Sequence, residues 1–348
     1  MLFRSSGPHF PLTNAINSCW CYCEELAGLR SQARGLAQAV GLPFEIRKTT
    51  MKPWWRCVPL SWVPRRASTL RDASVLEGST PRLVISCGKH GVIPALTLKQ
   101  RYGDRVFAVH IQDPNIDPKN FDLVVVPQHD RTRGSNVYLS LGALHHVTSD
   151  VLSAARSSPE AIQLAIDERP LVVVLLGGQN RYYGFSMADM DRFIAKLHRA
   201  ISEKDVKLAV LKSRRTPDEV AAKFTREFGD RHYVWDGQTP NPYMAALALA
   251  SSVIATGDSV SMITEASVEE LSLDVFAGAG GAAERSFSVS CSFCLFSSSS
   301  LSLPSMLSIL SLLSIPSLLS SLSLSFLFFL FLLSLLSFLS LLSLLSLL

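Results

Sequence analysis

Short apolar runs alternate with helix-compatible segments between residues 82 and 256 of this 348-residue chain. The first runs occupy 82–86, 106–111 and 123–127, and the same rhythm restarts at 171–176. Strands that are apolar along their whole length are typical of parallel sheets with helices on both faces. The sequence therefore predicts an α/β fold that contains two Rossmann-like, doubly wound units.

The two units define the predicted domains. Further strands are predicted at 44–47, 206–211, 233–236 and 252–255. We expect an N-terminal Rossmann-like domain over 24–165 and a C-terminal one over 166–275. Because the composition changes at Val268, we expect the second domain to be truncated, without its final strands and helices. The cleft between two such units is the default ligand site.

The C-terminal part has a different composition. After Arg285 the chain contains no Asp, Glu, Lys, Arg or His. Residues 326–348 are long enough to span a bilayer, but they lack the basic flank and the aromatic belt of a membrane anchor. Serine at every third position also builds no coherent helical face. We interpret 276–348 as a low-complexity Ser/Leu/Phe tail outside the fold, and favour translated repetitive DNA or an unspliced region over an anchor.

Charge, cysteine use and missing motifs exclude several classes of protein. A formal net charge of +4 is too small to predict a nucleic-acid partner. The seven cysteines offer no second ligand pair at zinc spacing, so we predict free thiols and no metal site. The patterns G-x-x-x-x-G-K-[ST], G-x-S-x-G and H-E-x-x-H do not occur, which argues against a P-loop NTPase, an α/β-hydrolase and a zincin.

A loop rich in Pro, Trp and Arg follows residue 50 and includes Trp54, Trp55, Trp62, Arg65 and Arg66. Trp together with Arg suggests a surface for a partner or for lipid headgroups. Packing of a long loop against its own domain is the commoner arrangement, and it is the one we expect here.

Polar clusters follow the predicted strands of both units. In doubly wound sheets ligands sit beyond the carboxyl ends of the strands, so these clusters predict a shared site. His90 and His129 are candidate general bases because imidazole titrates near neutrality, although a lone His at a strand end is more often structural. Asp113 is the third catalytic candidate. It either orients a sugar or, as we favour, caps the turn before Pro114.

The segment 251–266 predicts a strand that runs into the start of a helix. Free amides and the positive end of the helix dipole make such a terminus suitable for a phosphate. Arg214 and Arg215 are placed to clamp a diphosphate, or else form a solvated pair. Glu265 lies two turns along the helix, within reach of a sugar hydroxyl. The candidate ligand-binding residues are Gly177, Gly178, Gln179, Arg214, Arg215, Thr256, Gly257, Asp258, Ser259 and Glu265.

Six blocks carry a family resemblance. They are HIQDP at 110–114, FDLVVVPQHD at 121–130, GALH at 142–145, LGGQ at 176–179, SRRTP at 213–217 and GDSVSMITEA at 257–266. In this order, over residues 24–267, they resemble the plant mitochondrial-fission (elongated mitochondria) family and its bacterial relatives. The family's first strand, which should precede Gln32, is poorly matched, so its presence stays open, and the segment after Glu265 also departs from the family.

The resemblance implies a fold like that of the two-domain GT-B glycosyltransferases. For plant members it implies recruitment of a dynamin-related GTPase, with the protein in the cytosol and at the mitochondrial outer surface. For bacterial relatives it implies a suspected nucleotide-sugar site and no other cofactor. Three hypotheses remain: a fission factor, a glycosyltransferase-like protein that binds a nucleotide-sugar in the cleft, and the inactive product of a damaged or mis-spliced gene. Any membrane association is expected to be peripheral.

Overall fold

The computed structural model describes residues 18–165, 167–178, 186–268, 272–276 and 287–289. All of them belong to the first of two units, Met1–Ser298, whereas the second, Ser299–Leu348, contains no described residue. The part of the tail from residue 290 onward therefore lies outside the described residues. Among those that are described, no helix is both long and apolar enough to cross a membrane.

The first half of the described chain is built on a six-stranded parallel sheet. Its strands are β1 (Cys19–Cys23), β2 (Phe44–Lys48), β3 (Leu83–Cys87), β4 (Phe107–Ile111), β5 (Leu123–Pro127) and β6 (Val137–Ser140). The strand order is β2-β1-β3-β4-β5-β6. Helices α1 (Ala27–Val40), α2 (Pro53–Arg56) and α3 (Lys89–Tyr102) accompany it. Helix α1 ends at Gly41, whose φ of 74° suits a left-handed cap.

Alternate residues of β1 show how both faces of this sheet are covered. Trp20 and Tyr22 pack in one cluster with Val92 and Leu96 of α3. Cys19, Cys21 and Cys23 pack on the opposite face in the cluster that contains Ala33 and Ala37 of α1. A sheet covered in this way needs apolar side chains on both faces of each central strand.

The sequence left open whether the first strand of the family, expected before Gln32, is present in this chain, and β1 lies at that place. The strand is present, fully buried, and paired in parallel with both β2 and β3. Its alternating Cys and aromatic residues do not form a run of aliphatic side chains, which is why the sequence pattern did not predict it. The three cysteines are free thiols, as expected. The strand also lies before residue 24, where the first domain was predicted to begin.

The second half repeats the architecture. Its strands are β7 (Leu171–Leu176), β8 (Lys207–Lys212), β9 (Tyr233–Val234), β10 (Ser252–Thr256), β11 (Ser272–Phe276) and β12 (Phe287–Val289). They lie in the order β12-β11-β10-β7-β8-β9. All pairs are parallel except that of β11 with β12. Two strands, β11 and β12, therefore follow Val268, where none had been predicted.

Helices cover both faces of this second sheet as well. They are α4 (Ser149–Ala155), α5 (Pro159–Leu164), α6 (Met187–Lys204), α7 (Asp218–Phe228), α8 (Tyr243–Leu249) and α9 (Val260–Ala266). Phe193 of α6 and Phe224 of α7 pack on one face, and Ala246 of α8 packs on the other. The predicted α/β fold with two Rossmann-like halves in series is confirmed. The exact domain boundaries remain predictions.

Candidate functional site

Asp258 ties together the loops at the carboxyl edge of the second sheet. Its side chain is fully buried. The carboxylate accepts hydrogen bonds from the Gly178 amide at 3.1 Å, the Thr256 hydroxyl at 2.6 Å and the Arg215 guanidinium at 2.8 Å. Hydrogen bonds to a buried charge hold their partners firmly. The loops after β7, β8 and β10 are therefore brought together, as predicted, but Asp258 is engaged by protein groups.

Gly177 and Gly178 make this close approach of the loops possible. A Cβ on Gly177 would collide with the Asp258 carboxylate, and a Cβ on Gly178 would collide with the Arg215 backbone. The Gly177 amide also donates to the Thr256 hydroxyl at 2.7 Å. These glycines are needed for packing of loop on loop. Gln179, predicted with them, lies outside the described residues.

The two arginines after β8 have different environments. Arg215 is bound to Asp258, with 37% of its side chain exposed. Arg214 is also exposed, and it forms no hydrogen bond or ion pair with the part of the chain that the structure describes. The turn itself is fixed by Thr216, whose hydroxyl donates toward the carbonyl oxygens of Leu176 and Gly177. Of the pair, Arg214 alone is free to meet an anion from solvent.

The predicted strand-to-helix junction after β10 is present. Thr256 ends the strand, the Gly257 amide donates to the Phe276 carbonyl at 2.8 Å, and Ser259 caps α9 through the Met262 amide. Helix α9 has seven residues. Phosphate binding at this terminus stays a prediction.

Glu265 lies on α9 and contacts the first half of the chain. Its carboxylate accepts hydrogen bonds from Ser31 of α1 at 2.5 Å and from the Tyr243 hydroxyl at 2.9 Å. Burial raises the pKa of Glu265, and these two hydrogen bonds oppose the increase. Burial also raises the pKa of Tyr243. The carboxylate predicted to reach a sugar hydroxyl is thus occupied by two protein hydroxyls.

Further contacts lie beside this hydrogen bond between the halves. Ser31 is also within 2.9 Å of His146 Nδ1. The Ala143 amide donates to the Thr264 hydroxyl at 3.3 Å, and a Cβ on Gly142 would collide with Thr264. Sequence reasoning did not single out Ser31, Tyr243 or His146. Ser31 and Glu265 are 234 positions apart, so no local pattern could reveal the contact.

His90 is placed in a way that opposes its use as a general base. It is buried, and its Nδ1 accepts a hydrogen bond from the Met51 amide at 3.0 Å. A neutral imidazole that accepts at Nδ1 carries its proton on Nε2, which then has no lone pair to take another. Burial lowers the pKa of His90, against the effect of Glu24 at 3.8 Å, which raises it. This geometry favours a structural role.

The other two catalytic candidates line a cavity of about 310 Å³ between the first sheet and α9. His129 is largely exposed, and Asp113 is exposed as well. Asp113 accepts a hydrogen bond from the Asn115 amide at 2.8 Å, so it caps its turn, as favoured from the sequence. The lining residues of the cavity are Gln32, Gln112, Asp113, Asn115, Pro127, His129, Asp130, Ala143, Val260 and Ser261. Polar groups that converge on a cleft between two such halves suit a small polar ligand.

Gln112 gives this cavity an unusual feature. Its φ is 79°, in the left-handed region that non-glycine residues rarely adopt. Its amide donates to the Val125 carbonyl at 2.8 Å, and its side chain donates to Gln32 at 3.3 Å. Such conformations persist where the surroundings impose them, often at ligand sites.

A second cavity, of about 260 Å³, lies beside α7 in the second half. Lys212, Trp235 and Asp236 line it at the ends of β8 and β9, together with apolar residues of α7. It was not predicted from the sequence. Among the described residues no cluster of three His, Cys, Asp or Glu side chains is arranged to hold a metal ion.

Comparison with known proteins identifies relatives of the chain. Residues 27–286 match the family model described as Mitochondrial fission ELM1. The chain is 30% identical over 217 residues to the mitochondrial fission protein ELM1 of Arabidopsis thaliana, which covers 55% of this chain and 50% of that protein. It is 23% identical over 238 residues to the uncharacterized protein RP120 of Rickettsia prowazekii, covering 58% of this chain and 66% of the relative. The chain thus spans about half the length of the Arabidopsis relative.

Among solved structures, the S. aureus MnaA-UDP co-structure matches the chain. The sequence identity is 12%, and the TM-score is 0.47. The match covers 74% of this chain and 78% of the other.

Proposed function

Since the chain belongs to the mitochondrial fission ELM1 family, we propose that it promotes fission by recruiting a dynamin-related GTPase to the mitochondrial outer surface. Membership of the family implies an association with mitochondria. The observation that carries the proposal is the family match, which extends over residues 27–286 and so includes strands β2 to β11 of the two sheets. A recruiting protein needs a stable surface and no reacting groups.

The state of the predicted site supports recruitment over catalysis. Arg215 is bound to Asp258, and Glu265 is bound to Ser31 and Tyr243. His90 presents a protonated Nε2 in the tautomer that its backbone contact selects. Groups held by neighbouring side chains serve to fix loops and to join the two halves, which suits a scaffold.

Recruitment is tested with the full chain in a cell that lacks its own copy. Deleting the gene should leave long, poorly divided mitochondria with less GTPase on their surface, and the full chain should restore both. The Ile162→Ala variant is a suitable control. Ile162 is 73% exposed on α5, and it belongs neither to the loops around Asp258 nor to the lining of the cavity of about 310 Å³. Normal mitochondria after deletion, together with no GTPase retained by the purified chain, would refute the proposal.

A nucleotide-sugar ligand is the second candidate function, and the cleft favours it. The cavity of about 310 Å³ has a polar lining, and Arg214 stands exposed beyond β8. A guanidinium that meets a diphosphate forms charge-assisted, bidentate hydrogen bonds. Such a ligand could be held without any reaction, so this candidate is compatible with recruitment.

Calorimetry of the full chain with UDP-, GDP- and ADP-sugars tests this second candidate. If one of them binds, Arg214→Gln should weaken binding by about tenfold to a hundredfold, the loss expected for hydrogen bonds to a charged group. Its melting temperature should change little, because Arg214 is exposed and forms no hydrogen bond or ion pair with a described residue. No heat from any of these ligands, or an Arg214→Gln variant that binds as tightly as wild type, would count against the candidate.

A further inference from the structure

Two tryptophans stand exposed on one loop of the first half. This loop, which we call the Trp/Arg loop, consists of residues 52–66. Trp54 is 63% exposed and Trp62 is 76% exposed. The tryptophans of this loop were predicted to pack against their own domain, and Trp55 does so, whereas Trp54 and Trp62 do not. Large aromatic groups held in water mark a surface that meets something apolar.

The exposure does not result from a loosely attached loop. Leu60 and Val63 are buried in the core of the first half. The Lys52 amide donates to the Thr69 carbonyl at 3.0 Å, and Met51 pairs with Leu70 just outside the loop. The loop is therefore anchored at its start and at its centre, and Trp55 packs partly buried against the core, while Trp54 and Trp62 remain outside it.

The charge of the loop is entirely positive. It contains Lys52, Arg56, Arg65 and Arg66, and no Asp or Glu. Lys89 lies beside it and donates to the Arg56 carbonyl at 2.6 Å. Within the described part of the chain none of these five cations forms an ion pair, and Lys52 lies 5.8 Å above the Trp54 ring. Arg65 donates a hydrogen bond to the neutral Asn120 side chain, so its charge is not neutralised there. Cations that have no anionic partner attract an anionic surface.

We propose that the Trp/Arg loop docks onto the surface of a bilayer that contains anionic phospholipid. Indole rings settle at the level of the headgroups, and Lys and Arg bind lipid phosphates from the same position. Neither of the two cavities described above is lined by this loop. Two tryptophans together with a basic patch supply the two signals that stable peripheral binding needs.

This inference deepens the proposed function, because it names what would hold the chain at a membrane where a GTPase could be recruited. The inference rests on the proposed function only for which membrane the loop binds. Lipid binding by the loop needs no GTPase, so either lipid binding or GTPase recruitment can be refuted while the other stands.

The test is flotation of the purified full chain with two kinds of vesicle. One is pure phosphatidylcholine, and the other contains about 30% phosphatidylserine, enough to give a negative surface potential. We expect binding to the second kind only, and weaker binding as salt rises. Lys52→Gln and Arg66→Gln should each weaken it about fivefold. The Trp54→Ala, Trp62→Ala double variant should weaken it at least about tenfold.

Matched controls separate the loop from the rest of the chain. Lys204→Gln and Ile162→Ala remove an exposed cation and an exposed apolar side chain elsewhere and should bind as wild type does. Brominated acyl chains should quench the tryptophan emission of the bound protein, and Trp54→Phe with Trp62→Phe should abolish that quenching.

Equal binding by the loop variants and wild type would place the contact elsewhere on the chain and overturn the inference. So would binding to neither kind of vesicle. If the loop variants lose the GTPase while the wild-type chain binds no lipid, the loop is a protein-binding surface and the inference is wrong, whereas the recruitment proposal stands.

Discussion

At the scale of single residues, Asp258 is the side chain on which the second half depends most. Its buried carboxylate accepts hydrogen bonds from Gly178 and Arg215, on the loops after β7 and β8, and from Thr256 at the end of β10. Asp258→Ala should lower the free energy of unfolding by about 2–4 kcal/mol, because hydrogen bonds to a charged group contribute about 1.5–3 kcal/mol and the Gly178 amide would lose its acceptor. Urea unfolding measures the change. Asp230→Ala, at an exposed site, is the control and should change the free energy of unfolding by less than about 0.5 kcal/mol. Equal stability of the two variants would contradict a stabilising role for Asp258.

Glu265 makes stability depend on pH. Burial raises its pKa above the ordinary value of 4.5. A carboxyl group whose pKa is higher in the folded than in the unfolded state stabilises the fold below the unfolded value, and this contribution is lost as pH rises through the folded value. The free energy of unfolding of wild type, relative to that of Glu265→Gln, should therefore be highest below pH 4.5 and should decrease above it.

Urea unfolding of wild type and Glu265→Gln across acid and neutral pH checks this prediction. The amide of Gln does not titrate, and its oxygen still accepts a hydrogen bond from Ser31 or Tyr243. Glu203→Gln, at an exposed position, serves as the control and should follow wild type. A constant difference between wild type and Glu265→Gln over the whole range would show that Glu265 titrates normally.

The sequence predicted where the site residues lie but not what they contact. The polar clusters after β7, β8 and β10 meet as expected, because the carboxyl ends of parallel strands share one edge of the sheet. Whether a carboxylate faces solvent or a neighbouring loop depends on contacts between distant segments. Glu265 and Ser31 illustrate this, since their pairing depends on how the two halves meet.

At the scale of elements, eight of the twelve described strands were predicted, including β2 and β9, which are not continuous aliphatic runs, whereas β1, β6, β11 and β12 were missed. Strands β3, β4, β5, β7, β8 and β10 lie where they were predicted. Strand β6 was missed because it is an edge strand with no buried residue, so its side chains show no apolar pattern. Strands β11 and β12 were missed because the composition of the chain changes at Val268.

Helix α1 contains two glycines that should respond in opposite ways to alanine. A Cβ on Gly28 would lie 3.5 Å from the Ser261 hydroxyl oxygen, an ordinary contact. Gly28→Ala should therefore gain up to about 1 kcal/mol of helix propensity. A Cβ on Gly35 would collide with the His145 backbone, so Gly35→Ala should lose about 1–3 kcal/mol through overpacking. Thermal unfolding of the two variants tests these opposite effects on stability. Stabilisation by both would mean that α1 does not contact the His145 segment in solution.

At the scale of the whole molecule, α9 connects the two Rossmann-like halves. Its Thr264 meets Gly142 and Ala143, and its Glu265 meets Ser31 of α1. Two sheets in series could be predicted from the repeated rhythm of apolar runs. The contact between them could not, because it is made by polar side chains that carry no periodic signal.

A double-mutant cycle on Ser31→Ala and Glu265→Leu, whose leucine has no hydrogen-bond acceptor, measures that contact. Two side chains joined at 2.5 Å should show a coupling of about 0.5–3 kcal/mol in the free energy of unfolding, since each single variant already loses the shared hydrogen bond. Ser31→Ala also loses His146, but the cycle cancels that loss because it occurs in both variants that carry alanine. Ser31→Ala combined with Ile162→Ala is the control and should be additive within about 0.5 kcal/mol. Additivity in the first cycle would mean that the two halves separate in solution. Glu265 would then be free to bind a ligand hydroxyl, and the result would favour the nucleotide-sugar candidate over a closed scaffold.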